Sequence, residues 1–212
     1  SPPDLSAWSD VARTSRTRAD DQVGAVGLRR IRDDLGDCQR CPLARGRRHI
    51  VFGVGDPEAD LVVVGEAPGY QEDQVGEPFV GPAGQMLDRM LENVIGLSRR
   101  EAYIANIVKC RPPQNRKPLP PEVDACLPFL DRQIRAIQPR VILVLGTVAL
   151  KSLFRTEAGI TRHRGVWQEY AGVPALPTFH PAYLLRNAAE KRKTFNDLKA
   201  LKAKYDELGG RR

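Results

Sequence analysis

The segment Ala59–Gly69, ADLVVVGEAPG, decides the fold class of this chain. Its apolar run from Leu61 to Val64 is continuous, which is typical of a strand buried on both faces of a sheet. Glycine, glutamate and proline residues follow at once, where such a strand ends. A strand buried in this way needs helices on both sides, so the segment predicts an α/β protein.

Three further segments repeat this pattern along the chain. We expect strands within EAYIANIVKC (101–110), RVILVLG (140–146) and VPALPTFHP (173–181). Apolar residues at helical spacing lie before, between and after these strands, in the segments 27–35, 81–97, 121–139, 147–154 and about 188–208. Pro128 indicates either a kink or a late start in the third of these helices. The sequence therefore predicts a central, mainly parallel four-stranded sheet flanked by helices.

Length and composition indicate a single domain. The 212 residues allow one core, and we expect one domain over residues 25–212. Residues 1–24 mix Pro, Ser, Arg and Asp without an apolar period, which predicts a flexible tail. No run of ~20 apolar residues and no signal-peptide pattern occurs, so we expect a cytoplasmic protein with no membrane partner. The net charge of +7 suits a phosphate-backbone partner, although many basic proteins bind no nucleic acid.

The four cysteines can all belong to one site. Cys38 and Cys41 form a C-x-x-C pair, and Cys110 and Cys126 are the only other thiols. Four thiolates hold either a structural zinc ion or a cubane iron–sulfur cluster, and spacing alone does not choose between them. Unrelated buried thiols and a redox dithiol are the alternatives, but a dithiol leaves Cys110 and Cys126 unexplained. We therefore favour a metal site that ties the N-terminal helix and two arginine-bearing loops to the sheet.

Residues suited to chemistry gather where the predicted strands end. They lie in GEAPG (65–69), in NIVKC (106–110) and in HPAYLL (180–185). Open parallel sheets bind ligands at the carboxyl ends of their strands. The glycine loop after the first strand is neither a Walker motif nor a dinucleotide fingerprint, since both glycine patterns are absent.

Several sequence blocks, taken in order, resemble the family 4 uracil-DNA glycosylases. These are GEAPG, EPFVGPAG, NIVKCRPPQNR and HPAYLLR together with the four cysteines, and the resemblance covers about residues 27–190. It implies the uracil-DNA glycosylase fold and a [4Fe–4S] cluster held by Cys38, Cys41, Cys110 and Cys126. It also implies a monofunctional glycosylase that hydrolyses the N-glycosidic bond of flipped-out deoxyuridine in DNA, the first step of base excision repair. Uracil is then the product, an abasic site remains, and we expect a monomer.

The resemblance also implies roles for five residues of the active site. Asn106 matches the asparagine that reads the base, and Phe79 matches the aromatic residue that stacks on it. His180 matches the catalytic histidine, which stabilises negative charge on uracil O2. Glu66 and Glu72 match acidic positions near the water and the base. We assign the water to Glu66 and the wall beside uracil C5 to Glu72, although these roles can be exchanged.

Further matches concern the base and the DNA strand. Ala67 lies where family 1 enzymes carry an aspartate, so that only its backbone can contact the base. Leu184 and Leu185 match the apolar wedge that fills the gap left by the flipped nucleotide, although ordinary helix packing accounts equally well for one of them. Arg111 and Arg186 are candidates for phosphate contacts.

Two alternatives belong to other classes. One is a uracil-binding relative that becomes covalently attached at its product site. That branch has glutamine in place of Ala67 and a histidine-bearing insertion after the second strand, whereas residues 111–121 contain no histidine. The other is a metal-stapled DNA-binding module without activity, which would keep its DNA affinity after loss of His180.

Overall fold

Each predicted apolar run forms a strand in the computed structural model, which describes residues 22–211. The strands are β1 (Val54–Gly55), β2 (Leu61–Gly65), β3 (Tyr103–Asn106), β4 (Val141–Leu145), β5 (Gln168–Tyr170) and β6 (Val173–Thr178). They form one sheet in the order β1-β3-β2-β4-β6-β5. The four central strands pair in parallel, which confirms the mainly parallel α/β fold.

The prediction of four strands was wrong at the edges, because the sheet has six. β1 pairs antiparallel with β3, and β5 pairs antiparallel with β6. β1 has only two residues, and β5 is incompletely buried along its three. Neither segment contains the apolar run by which a buried strand is recognised in a sequence. Their pairing comes from the tertiary position of each segment beside an open edge.

Helices cover both faces of the sheet. They are α1 (Gly24–Leu35), α2 (Tyr70–Val75), α3 (Pro82–Met90), α4 (Pro120–Ile137), α5 (Gly146–Phe154), α6 (Ile160–His163), α7 (Pro181–Arg186) and α8 (Lys191–Glu207). A π-helical turn, Leu91–Ile95, extends α3 as far as Gly96, whose φ of +81° ends the helix within the predicted segment 81–97. Short 3₁₀ turns occur at Pro42–Arg45, Pro113–Asn115 and Ala188–Glu190.

Two apolar cores lie on the two faces of the sheet. Val62 and Val64 of β2 contribute to one core, whereas Leu61 and Val63 contribute to the other. This alternation follows from the period of two along a strand. α1, α4 and α5 supply the first core, and α3, α7 and α8 supply the second. β2 and β4 are therefore buried on both faces, as their continuous apolar runs predict.

The start of α4 is set by a buried carboxylate. Glu122 accepts a hydrogen bond from the backbone N–H of Leu119 at 2.8 Å, and Arg116 donates to both of its oxygens. This cap starts the helix at Pro120, well before Pro128, so the suggested late start was wrong. The same contacts hold the loop of residues 111–119 against the body of the protein.

Two other predictions concern the chain as a whole. The flexible tail predicted for residues 1–24 lies almost entirely outside the described residues and stays a prediction. Within residues 22–211, no helix has the length and apolar character required to cross a membrane.

Replacement of a central core residue tests the packing of the sheet. Leu143 is fully buried in β4, and Leu143→Ala should lower the free energy of unfolding by about 2–5 kcal/mol. Leu119→Ala is the control, because the side chain of Leu119 is half exposed. Its replacement should lower the free energy of unfolding by less than about 0.5 kcal/mol. Urea titration at 25 °C measures both, and equal costs would contradict the assignment of β4 to the core.

Candidate active site

The carboxyl ends of β2, β3 and β6 bring the three predicted segments to one edge of the sheet. β2 ends at Gly65 and β3 ends at Asn106, and these two residues pair directly. His180 follows β6 closely and caps the start of α7. Parallel strands present their carboxyl ends at the same edge, so Glu66, Asn106 and His180 share this region.

Asn106 presents an unpaired polar atom inside the protein. Its side chain is buried, and within residues 22–211 its Oδ1 has no hydrogen-bond partner. A Cβ on Gly65 would lie 2.5 Å from this oxygen and 2.6 Å from Cζ of Phe79, so only glycine fits between them. A buried acceptor without a partner costs free energy unless a ligand satisfies it. Asn106 is therefore the clearest mark of a binding site in the described structure.

Phe79 is held in a strained conformation beside the histidine. Its φ of +55° lies in the left-handed region, which is uncommon for a residue other than glycine. Arg99 donates hydrogen bonds to the carbonyl oxygens of Pro78 and Phe79 at 2.7 and 2.8 Å, which maintains this turn. The ring of Phe79 stacks on His180 with centroids 5.6 Å apart and planes 27° apart. Such strain persists where the surrounding structure enforces it, often at functional sites.

The local backbone selects the tautomer of His180. Its Nδ1 accepts a hydrogen bond from the backbone N–H of Ala182 at 3.1 Å, so the proton of the neutral ring is on Nε2. Burial lowers the pKa of His180 to about 4, and the charge of Arg186 acts in the same direction. A Cβ on Gly146 would lie only 2.9 Å from Cβ of His180, at a backbone φ of +87°. Gly146 thus lets the histidine approach the end of β4.

Glu66 is the carboxylate nearest the end of β2. Burial raises its pKa, while the charge of Lys117 acts in the opposite direction. Its carbonyl oxygen accepts a hydrogen bond from the N–H of Val108 at 3.2 Å, which continues the contact between the chains beyond β2 and β3. Glu66 and Asn106 are therefore fixed relative to each other by the backbone.

Glu72 clamps two loops together. One of its oxygens accepts from the N–H of Gly69 at 3.1 Å. The other accepts from the N–H groups of Val80 and Gly81 at 3.1 and 3.2 Å. The carboxylate thus joins the loop before α2 to the loop before α3, and Phe79 lies in the second loop. A sequence shows the acidic residue but not these three donors.

The side chains expected to meet DNA divide into buried and exposed groups. Leu184 is 1% exposed and packs in the core between α7 and the sheet, whereas Leu185 is 44% exposed. Leu184 is therefore a packing residue in this structure, and only Leu185 is available as a wedge. Arg186 is exposed, and Arg111 lies 5.1 Å from the ring centroid of the exposed Tyr70. Ala67 is half-buried beside the first core.

A buried aspartate that sequence analysis missed positions the basic turn RGRRHI. Asp73 in α2 accepts hydrogen bonds from the N–H groups of Arg48 and His49 at 2.8 and 3.3 Å. Nδ1 of His49 also contacts the carbonyl oxygen of Asp73 at 2.8 Å. These contacts attach residues 45–50 to α2 and so to the loop that carries Glu72. No local pattern in the sequence distinguishes Asp73 from the other acidic residues near it, Glu72 and Glu77.

The four cysteines line one cavity. The volume of this cavity is about 300 Å³, which includes the open solvent at its mouth. Arg40, Arg47 and Lys109 also line it. Cys110 and Cys126 are buried, and burial raises the pKa of the Cys110 thiol to about 11. Within residues 22–211, no His, Cys, Asp or Glu side chains are grouped tightly enough to form a site for a single metal ion. The donor set is nevertheless four thiols around one space, which suits an iron–sulfur cluster.

Lys109 joins this cavity to the strand that carries Asn106. It is only 1% exposed, and its Nζ donates to the carbonyl oxygen of Asn106 at 3.0 Å. Its backbone N–H donates to Sγ of Cys126 at 3.3 Å. Burial lowers the pKa of its ammonium group to about 8. Sequence analysis did not identify Lys109, although a lysine between Val108 and Cys110 in an apolar segment is the signal that could have found it.

The sequence of this chain is similar to one family of known proteins over most of its length. A model of the Uracil DNA glycosylase superfamily matches residues 52–199. The chain is 43% identical to a type-4 uracil-DNA glycosylase of Thermotoga maritima over 177 residues, which is 82% of this chain and 92% of that protein. It is 40% identical to a type-4 enzyme of Sulfurisphaera tokodaii over 183 residues, 82% of this chain and 83% of that protein.

A second type within the superfamily is more distant. A type-5 uracil-DNA glycosylase of Thermus thermophilus is 31% identical over 149 residues, 61% of this chain and 68% of that protein. The type-4 relatives match at higher identity and over more of the chain. This chain therefore belongs to the Uracil DNA glycosylase superfamily and, within it, to the type-4 uracil-DNA glycosylases.

Proposed function

We propose that this protein hydrolyses the N-glycosidic bond of deoxyuridine in DNA, which releases uracil and leaves an abasic site for base excision repair. Its membership of the type-4 uracil-DNA glycosylases supports this function. The single observation that carries it is the buried, unpaired Oδ1 of Asn106 beside the stacked rings of Phe79 and His180. This site suits a planar polar base that has left the DNA helix.

Asn106 and Phe79 select the base. Oδ1 of Asn106 accepts the N3–H of uracil, and the amide NH₂ of the same side chain donates to uracil O4. Cytosine presents an acceptor at N3 and an amino group at C4, so both contacts would be mismatched. The ring of Phe79 supplies an apolar face for stacking. The clamp made by Glu72 holds the loop that carries this ring, so we assign Glu72 a positioning role.

His180 and Glu66 act on the bond that breaks. Cleavage leaves negative charge on uracil O2 and positive charge on the sugar. The neutral ring of His180 donates its Nε2–H to O2 and stabilises the leaving anion. Glu66, in its ionised form, orients the attacking water and stabilises the oxocarbenium-like sugar. Since both oxygens of Glu72 already accept backbone hydrogen bonds, we assign the water to Glu66.

The DNA strand meets the exposed basic and apolar side chains around this edge. Leu185 is the candidate wedge for the space that the flipped nucleotide leaves. Arg111 and Arg186 contact phosphates, and the net charge of +7 favours association with DNA. The backbone of Ala67 lies at the base pocket, where its methyl side chain takes no part in proton transfer.

A [4Fe–4S] cluster held by Cys38, Cys41, Cys110 and Cys126 is the cofactor that we propose. The fit rests on four thiols that line one cavity, with arginine side chains in its walls. When bound, the cluster supplies a cross-link and no step of the hydrolysis. It joins residues 38–41, which follow α1, to the end of the β3 segment and to α4. The cluster thereby supports the basic loops on both sides of the site.

Direct assay of excision tests the proposal. An oligonucleotide with one deoxyuridine should yield free uracil and an abasic site, whereas a matched thymidine oligonucleotide should yield nothing. The same purified protein should show a broad visible absorption with roughly four iron and four sulfide per chain. Absence of uracil release from a folded, coloured protein would overturn the function, and a colourless zinc protein would overturn the cofactor.

The pH dependence of kcat/KM tests the roles of His180 and Glu66. The lowered pKa of His180 keeps the active neutral ring present as the pH falls through ~6.5, with loss only near pH 4. Because its pKa is raised, Glu66 loses its active ionised form at a higher pH than an exposed glutamate does. We expect no titration at pH ~6.5 and an acid limb that moves to lower pH in Glu66→Gln.

His163→Gln is the control for this profile, because His163 lies in α6 and should leave the limb unchanged. An acid limb at pH ~6.5 that persists in Glu66→Gln would contradict the proposed role of His180 as a neutral ring with a lowered pKa.

The Asn106→Asp variant tests base selection. An ionised carboxylate accepts hydrogen bonds but does not donate them. The variant therefore loses the hydrogen bond to uracil O4 and can accept one from the amino group of cytosine. The ratio of cytosine release to uracil release should rise about tenfold or more, as expected for one lost bidentate base contact. Asn93→Asp is the control, since Asn93 is exposed in the π-helical turn. Unchanged selectivity in Asn106→Asp would remove Asn106 from base reading.

A further inference from the structure

Lys109 is a fully buried charged residue that takes no part in the proposed excision reaction. It lies between two sites, with Asn106 on one side and the cysteine cavity on the other. Its ammonium group donates to the carbonyl oxygen of Asn106 at 3.0 Å. Its backbone N–H donates to Sγ of Cys126 at 3.3 Å, and Cys110 is its neighbour in the chain. One residue therefore contacts both sites directly.

A buried ammonium group needs compensation for the water that it loses. A single carbonyl acceptor satisfies one of its three donors, and such a group is costly unless it also has an opposite charge nearby. Within residues 22–211, no carboxylate forms an ion pair with Lys109. The remaining anionic groups close to it are the cysteine sulfurs of the cavity when they act as thiolate ligands. The location of Lys109 thus matches a negatively charged metal cluster.

The backbone around Lys109 transmits its position to the base site. The N–H groups of Ile107 and Val108 donate to the carbonyl oxygens of Gly65 and Glu66 at 2.9 and 3.2 Å. The carbonyl oxygen of Lys109 accepts from the N–H of Val51 at 2.7 Å. This ladder leaves the segment 106–110 little freedom to move independently of the end of β2. A shift at Lys109 is therefore transmitted to Asn106 and to the end of β2 together.

We propose that Lys109 is a positioning residue that couples the cluster to the base-reading asparagine. Its ammonium group balances the charge of the thiolate-bound cluster and, at the same time, holds the main chain of Asn106. This inference rests on the proposed function, because it needs both a cluster and a uracil site. Coupling of this kind is reciprocal, so a base bound at Asn106 stabilises the cluster as the cluster stabilises base binding.

The rate at which an iron chelator bleaches the visible absorption of the holoenzyme measures this coupling. Free uracil is the probe, at a concentration that saturates its inhibition of excision. In the wild-type protein, uracil should slow bleaching about fivefold or more, because release of iron requires movement of the segment that uracil holds. Lys109→Met keeps the apolar stem and removes the charge, so uracil should no longer change the rate. Lys151→Met is the control, since Lys151 is partly exposed and pairs with Glu157, and it should keep the wild-type ratio.

Each outcome bears on the proposal. A wild-type bleaching rate that uracil does not change overturns the coupling, and so does a Lys109→Met protein that keeps the wild-type ratio. Lys109→Gln separates the two contacts, because it keeps a hydrogen-bond donor without the charge, and partial protection in it supports the hydrogen bond to Asn106. If neither variant takes up iron, the test rests on the wild-type protein alone: slower bleaching with uracil supports the coupling, and an unchanged rate overturns it.

Uracil release from the deoxyuridine oligonucleotide is measured on the same wild-type sample. Release without uracil-dependent protection overturns the role of Lys109 and leaves the proposed function standing. Absence of release overturns the function itself, so the two failures are distinct.

Discussion

The parallel pairing of β2 with β3 is the contact on which both sites depend. It ends at Gly65 and Asn106, where glycine alone allows the two strands and the ring of Phe79 to approach so closely. The hydrogen bonds continue past the strands through Ile107 and Val108. Asn106, with its unpaired Oδ1, lies at this strand end, while the residues directly after it lead into the cysteine cavity. One register thus determines the relative position of the two centres.

The side chains that we propose to bind the base are held in place by contacts within the protein. Glu72 uses three backbone N–H groups to hold two loops, and Arg99 holds the strained turn at Phe79. Ala182 fixes the proton of neutral His180 on Nε2, and burial keeps that ring uncharged. Groups that are already oriented toward developing charge need little rearrangement during the reaction. These polar contacts therefore serve to hold the side chains in fixed orientations.

The cysteine cavity lies between segments that are distant in the chain. Cys38 and Cys41 lie on a 3₁₀-containing segment after α1, whereas Cys126 lies within α4. α1 and α4 also share the first apolar core, so the cysteine cavity and the core involve the same pair of helices. Lys109 reaches from this region to the strand end. The cysteine cavity and the end of β3 are in this way joined by one buried residue.

The sequence by itself determined the four central strands, the grouping of the cysteines and the blocks that contain Asn106 and His180. Continuous apolar runs and short-range spacing are local properties, so they can be read without coordinates. Only the tertiary structure decided the edge strands β1 and β5, the clamp made by Glu72 and the division between buried Leu184 and exposed Leu185. It also decided the tie from Lys109 to Asn106. Each of these depends on which surfaces meet after folding, and residue identity alone does not specify those partners.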